Sequence, residues 1–439
     1  MSLNIDLGEI ASIFGDQNAR NLSGLVTGYS TDSRTTEKGD LFIPLIAERD
    51  GHDFIEDAIS SGAIGHLYSH GSAQKNGIKV TSTLEALHTL AGEAIRQLDS
   101  VGIGITGSVG KTTTKDMIRE CLNSSFKVWA SERSFNNEIG VPLTILSSPS
   151  ETEYLILEMG ARGIGHIQKL CQIANPKVGV VTCIGNAHSE FFGGLANTIN
   201  AKGELVESLQ EDALAVLNFD DLNVRELSSR TSAEILLYGM EGGDVVAENI
   251  VVNPNLKVSF NLRSPWGSSE IQLNVPGKHN ITNALAAAAV AMHAGAPLST
   301  VVSGLESVEI SPLRMEMFET PSGILIINDA YNANPLSMKA ALSSLVATGR
   351  RNLVAVLGVM AELGDDHIIS HEEIGEIAKS NDVDVISLNV KEYGGQLVST
   401  IDDAYRAAVD KIKDPQNTAL LLKGSRVVAL ENLAQKFTE

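Results

Sequence analysis

The stretch Gly102-Ile-Gly-Ile-Thr-Gly-Ser-Val-Gly-Lys-Thr-Thr-Thr114 decides how this chain is read. A short apolar run of strand type enters Gly107 and Gly110, and a helical pattern over Lys115–Leu122 follows. Glycines at these points let successive backbone N–H groups fold around a phosphate, and the helix N-terminus adds positive dipole. In such a loop Lys111 reaches the β- and γ-phosphates, and the Thr112 hydroxyl is placed to ligate Mg²⁺. Ile105 stands where the strict GxxxxGK[ST] pattern has its first glycine. A strand before and a helix after still fit a nucleoside triphosphate site. The candidate phosphate-binding residues are therefore Gly107, Ser108, Gly110, Lys111, Thr112 and Thr113.

Outward from the loop, compact apolar runs alternate with helical patterns, as at Tyr154–Leu157, Val178–Thr182, Ile324–Ile327, Leu353–Leu357 and Ala419–Leu422. This alternation predicts parallel sheets covered by helices on both faces. Tyr154-Leu-Ile-Leu-Glu-Met-Gly160 delivers Glu158 at the end of a strand, where open α/β sheets bind ligands. Taken alone, Glu158 reads equally as a Mg²⁺ ligand or as a solvated strand end. Val178–Thr182 leads into Gly185-Asn-Ala-His-Ser-Glu190, which puts His188 in a second sheet-top loop. A lone loop histidine is more often solvated than a ligand, and Lys202 on the next helical pattern reads by itself as a surface lysine. The sequence contains no NKxD motif of a guanine-specific switch.

At 439 residues the chain is about three times the ~150-residue size of an ordinary domain. Its 33 Lys and Arg against 54 Asp and Glu leave a net charge of −21. That balance excludes the basic footprint of a nucleic-acid binder and is unsuited to an anionic membrane. The hydrophobic fraction of 43% and charged fraction of 20% describe a globular chain with an ample core. Cys121, Cys171 and Cys183 form no metal-like pairing and read as reduced thiols. The start MSLNIDLGEIASIFG has no basic region ahead of an apolar stretch, and the Ala-rich tract Ala284–Ala291 is too short to span a bilayer. A cytoplasmic location is expected.

Three segments follow from the patterning: 1–98, ending in the amphipathic stretch Leu84–Leu98; 99–310, opened by the glycine-rich loop; and 311–439, where a fresh strand–helix alternation starts at Pro312. Within the second, Val245–Val275 is β-rich and reads as antiparallel strands at the edge of the main sheet.

Further motifs appear in order along nearly the whole chain: STDSRTTEKGDLFIPL with GHDF, ITGSVGKTTTK, FNNEIGVPLTIL, LEMGARGIGHI, GNAHSEFFGG, NAKGELVESL, VPGKHNITNALAAAAVA, SPLRMEMF, NDAYNANPLSMKAAL, VMAELGDDHIISHEEIG and LLKGSR. Together they resemble the Mur ligase family, ATP-dependent amide-forming ligases of peptidoglycan synthesis, whose phosphate loop is TGxxGK[ST]. YNANPLSM and AELG…H…IG resemble the members that add D-alanyl-D-alanine, and the DNPR-type motif of the diaminopimelate-adding ligase is absent. Folylpolyglutamate synthase shares the ATP chemistry but does not account for the N-terminal TDSR…GHDF segment. A nucleotide switch or scaffold does not account for Glu158, His188 and Lys202 occurring together.

The resemblance implies an α/β protein of three domains: a smaller α/β N-terminal domain (1–98) for the UDP-sugar, a central domain (99–310) with a P-loop-containing parallel sheet for ATP, and a Rossmann-like C-terminal α/β domain (311–439) that binds dipeptide and closes on the nucleotide. It implies that Thr112 and Glu158 hold one Mg²⁺ and that His188, Glu158 and a carbamylated Lys202 hold a second. Lys111, Glu158, His188 and Lys202 are thereby the expected catalytic set. Asn283 resembles the adenine contact, Arg314 a phosphate contact and Asp329 the ribose contact, while His279 and Asn280 lie in the same nucleotide-facing segment. Thr31, Asp32, Ser33 and Arg34 match the motif that receives the UDP end. Asn136 and Asn137 match residues near the reacting carboxylate, and Asn332 and Asn334 sit where the dipeptide is expected. The implied reaction joins D-alanyl-D-alanine to UDP-N-acetylmuramoyl-tripeptide through an acyl phosphate, releasing ADP and phosphate, in a monomer with no nucleic-acid or membrane partner. Arg133, Ser134, Val359 and the Val427-Val-Ala-Leu-Glu segment depart from the family pattern, and none belongs to the Mg²⁺ or phosphate set.

Overall fold

The structure, a computed structural model, describes residues 5–72, 74–132, 134–185 and 189–438. The chain is α/β, and its largest sheet has nine strands. The parallel part runs in the order Glu234–Gly239, Leu214–Asn218, Val178–Val181, Val101–Thr106, Tyr154–Glu158, Val128–Ala130. Every residue of Leu214–Asn218 and Val178–Val181 is buried, which is why these strands read as unbroken apolar runs. Val101–Thr106 pairs with Tyr154–Glu158 on one side and Val178–Val181 on the other. The chain leaves this strand toward one edge and later returns to its opposite side, which opens a crevice at its carboxyl end. Val245–Val252, Val258–Ser264 and Gly267–Leu273 form the expected antiparallel edge.

The helix after the phosphate loop begins at Lys111, four residues earlier than the patterning suggests, and runs to Asn123. Thr112, Thr113 and Thr114 are weak helix formers, but all three are buried. Gly110 also caps the helix in the left-handed conformation, with φ 86°. A side chain there would meet Asn283 as well, since an added Cβ would lie 2.5 Å from its Oδ1.

The first segment carries a parallel sheet in the order Gly28–Ser30, Asp40–Phe42, Gly65–Tyr68, Gly77–Lys79. It ends in the helix Thr83–Gln97, capped by Ser82. The buried face of that helix, including Leu87, Leu90 and Ala94, packs on the helices Gly140–Ser147 and His166–Ala174 of the following segment. Leu41, Leu67 and Leu90 consequently share one apolar cluster with Ile145, Leu157 and Leu170. The first two sheets are thus joined through a common core.

The third sheet runs Glu316–Glu319, Leu325–Asn328, Thr418–Lys423, Asn352–Leu357, Val383–Leu388, Gln396–Val398 and is parallel except for its first pair. It has an apolar core on each face. The connection between the second and third sheets lies between Ser307 and Glu316. Asp116, buried on the phosphate-loop helix, accepts from the Ser311 backbone N–H at 3.0 Å and hydroxyl at 2.9 Å, which ties this connection to the loop. Among the described residues no helix is long and apolar enough to cross a membrane.

Candidate active site

A cavity of about 560 Å³ lies where the carboxyl ends of the central strands face those of the third sheet. Ser108, Gly110, Lys111, Thr112, Thr113, Asn136, Glu158 and Asn283 line it from the central side. Arg314, Asp329, Asn332 and Asn334 line it from the other. The structure therefore brings the larger part of the candidate site into one space.

Lys111 donates to the Gly107 carbonyl at 2.7 Å, so its ammonium rests on the phosphate loop. Burial pushes its pKa down, and the neighbouring Glu158 carboxylate opposes that shift. Gly107 is required by close approach, because a Cβ would lie 1.9 Å from Thr182 Oγ1.

Thr112 and Glu158 meet as the sequence expects. The Thr112 hydroxyl donates to Glu158 Oε2 at 2.7 Å and accepts from Arg314 Nη2 at 3.0 Å. Asn136 Nδ2 donates to Glu158 Oε1 at 2.9 Å. Glu158 is 2% exposed; its solvated alternative is thereby excluded, and both carboxylate oxygens are oriented. A buried carboxylate beside a hydroxyl is a hard-oxygen donor set, which fits Mg²⁺. Arg314 reaches this centre from the third sheet's entry loop, and its guanidinium lies 4.2 Å over the Tyr331 ring.

Lys202 is not a surface lysine. It is buried on the helix Leu195–Glu207 and lies 5.9 Å over the Phe192 ring. Burial, with the nearby Lys111 charge, pushes its pKa down to about 7. Among the described residues no carboxylate contributes to that shift. His188 lies outside the described residues.

Asp329 stands at the carboxyl end of Leu325–Asn328. Its Oδ2 meets Lys423 Nζ at 2.5 Å, and its Oδ1 accepts from the Met315 backbone N–H at 3.2 Å. Lys423 is 1% exposed and also donates to the Asn332 carbonyl at 3.0 Å. His279 faces the same pair; burial pushes its pKa down, with Asp329 pulling up and Lys423 down. Ser134, one of the departures from the family pattern, hydrogen-bonds Tyr331 across the two domains.

Several candidate residues carry structural duties. Asn334 accepts from the Ser337 N–H at 2.9 Å and caps the helix Pro335–Ala347. Asn283 accepts from Thr114 at 3.2 Å and donates to Asn280 at 2.9 Å, which braces the first turn of the phosphate-loop helix. Asn137 accepts from the Ile139 and Gly140 N–H groups at 3.2 and 2.8 Å, which holds the turn that enters Gly140–Ser147, and it lies outside the cavity lining. Thr31, Asp32, Ser33 and Arg34 follow the first strand of the N-terminal sheet, where Arg34 Nη2 bonds Asp32 at 2.6 Å. The Arg34 hydrogen bond and charge hold the Asp32 carboxyl down at about 2.

Sequence reasoning left out Lys423, Lys115 and Glu204. Lys115 is buried beside Asp116 at 3.2 Å. Glu204 caps the helix His166–Ala174 by accepting from the Gln168 N–H at 2.9 Å. Asp50, His52 and His70 also gather at the N-terminal sheet's carboxyl edge. There the Ser69 N–H donates to His52 Nε2 at 3.1 Å, so Nδ1 carries the proton toward Asp50 at 2.7 Å. Neither ring nitrogen of His52 is then open to a metal.

Comparison with known proteins matches residues 105–291 to the Mur ligase middle domain and residues 313–426 to the Mur ligase glutamate ligase domain. The chain is 37% identical to the UDP-N-acetylmuramoyl-tripeptide--D-alanyl-D-alanine ligase of Bacillus subtilis, over 82% of this chain and 79% of that one. It is similar in structure to MurF from Acinetobacter baumannii, with a TM-score of 0.91, 29% identity and 99% and 98% of the two chains covered. It is likewise similar to MurF ligase from Thermotoga maritima in complex with ADP, with a TM-score of 0.85, 28% identity and 94% and 97% covered.

Proposed function

The chain belongs to the Mur ligase family, and from that premise we propose that it joins D-alanyl-D-alanine to UDP-N-acetylmuramoyl-tripeptide at the expense of ATP. One observation carries the reading. The phosphate loop and Glu158 share a single cavity with the YNANPLSM segment of the facing sheet, so an activated acyl group and an incoming amine would meet there.

The substrate carboxylate attacks the γ-phosphoryl group in line, giving an acyl phosphate and ADP. The neutral dipeptide amine then attacks the acyl carbon, phosphate leaves with the C–O bond electrons, and the new amide nitrogen gives up one proton to solvent. Lys111 and Arg314 offset charge on the transferring group, while the backbone N–H groups from Val109 to Thr113 hold the nucleotide phosphates. Asn136 fixes the Glu158 carboxylate. Two Mg²⁺ ions, held by Thr112, Glu158, His188 and a carbamylated Lys202, would supply further charge neutralisation on the phosphoryl oxygens. Asp329 takes the ribose, Asn283 faces the adenine end, and Thr31–Arg34 receive the UDP group. ADP release should require both UDP-N-acetylmuramoyl-tripeptide and D-alanyl-D-alanine. Release that proceeds unchanged without the dipeptide would overturn this reading.

The Lys202 environment supports the carbamate. An ammonium buried beside Lys111, with no carboxylate among the described residues contributing to its shift, is strongly disfavoured. The neutral amine adds CO₂ and loses one proton, which turns a misplaced cation into an oxygen-bearing anion. Carbon-13 bicarbonate should give a carbamate carbon resonance in the protein that Lys202→Arg abolishes. Lys202→Ala should lose activity by about 100-fold or more, with partial recovery on adding a short carboxylate. A protein without that resonance, or a Lys202→Ala variant at full rate, would exclude the role.

A further inference from the structure

Among the described residues, the Lys and Arg side chains lining the cavity are Lys111, Arg162, Arg314, Lys423 and Arg426. Three of them are committed to the phosphate loop or to Asp329, while Arg162 and Arg426 each stand beside one carboxylate of the third segment. Lys111 lies on its own phosphate loop, and Arg314 reaches Thr112 at the loop's end. Lys423 is buried against Asp329. Arg162 stands on the central rim and faces Glu362 of the third segment across the cavity mouth at 3.7 Å.

Arg426 is placed differently. It opens the turn Arg426–Val428 just beyond Thr418–Lys423, a strand in the interior of the third sheet. Its side chain is 58% exposed. Glu431 holds Nη1, which orients the guanidinium and leaves its other N–H edge able to take a second carboxylate in a two-point bond. The turn is fixed from beneath, because buried Ser425 accepts from the Ala361 N–H at 2.9 Å. Val427 and Leu336, at 81% and 37% exposure, add apolar surface to the same cavity.

A dipeptide that arrives as nucleophile must turn its amine toward Lys111 and Glu158, which directs its carboxylate toward the opposite wall. We propose that Arg426 binds the C-terminal carboxylate of the incoming dipeptide, with Val427 and Leu336 against its methyl groups. This rests on the ligase reading above.

The test compares D-alanyl-D-alanine with D-alanyl-D-alaninamide as acceptors, with ADP release as the readout. The unsubstituted enzyme should favour the free acid by about 10- to 100-fold in kcat/KM, the range of a charge-assisted two-point hydrogen bond. Arg426→Gln should erase most of that preference through the KM for dipeptide and leave the KM for ATP unchanged. Arg426→Lys, which keeps the charge without the planar fork, should fall between them and serves if the glutamine variant does not fold. The proposal is overturned if Arg426→Gln keeps the full preference, if the unsubstituted enzyme does not discriminate, or if Arg162→Gln is the change that removes discrimination. If neither acceptor elicits ADP release from the unsubstituted enzyme, the ligase reading falls first and this proposal with it.

Discussion

Lys111→Ala is expected to lower kcat by about 10²- to 10³-fold, the scale of losing one charged donor aimed at developing phosphoryl charge. Lys111 starts the phosphate-loop helix, and its ammonium reaches only back to Gly107 in the absence of other bonded partners among the described residues. Its removal should therefore leave the thermal transition nearly unmoved while turnover collapses. Arginine should not restore activity, because a longer planar fork replaces a compact point charge within a tight loop. A Lys111→Ala enzyme with undiminished ADP release would remove the phosphate loop from the chemistry altogether.

The second large effect concerns stability. Lys423→Met removes the cation but keeps the volume, leaving Asp329 with the Met315 N–H and no charge partner. Breaking a buried pair from one side should cost about 3–5 kcal/mol, read as a lower denaturant midpoint for the C-terminal domain. Asp329→Asn should also destabilise, since it strands a lysine that is 1% exposed. The double variant Lys423→Met with Asp329→Asn should recover most of the loss, because two neutral groups carry no desolvated charge. It should not recover activity if Asp329 also takes the ribose. Additive single losses in the double variant would show that the two side chains do not act as a pair.

The parallel strands and the phosphate loop were legible because each is local. A fully buried strand is a contiguous apolar run, and the loop's glycines adjoin its lysine. Glu158 became legible as a buried site residue only through its company, since its own segment cannot distinguish a strand end in water from one against Thr112. The Asp329–Lys423 pair joins adjacent strands that are 94 residues apart in sequence, and no periodicity signals such a meeting. Lys202 looks like any helical lysine until the burial of its helix is known. Asn334 and Asn137 carry a different lesson. Each matches a family motif, yet asparagine also serves local structure: Asn334 caps its helix and Asn137 holds the turn that enters one. The late start read for the phosphate-loop helix has the same origin: propensity undervalues three threonines that burial and a left-handed glycine carry into the first turn.

The common core beneath Thr83–Gln97 has a mechanical consequence. Leu90 and Ala94 pack where Ile145 and Leu170 do, so the sheet that carries the Thr31–Arg34 loop and the sheet that carries the phosphate loop stand on one continuous core. A substrate gripped at its nucleotide end and reacting at its far end would then be measured against a fixed gauge. A stem one residue too short would stop before Glu158, and one residue too long would overrun it, so length itself would be sorted before any side chain was read.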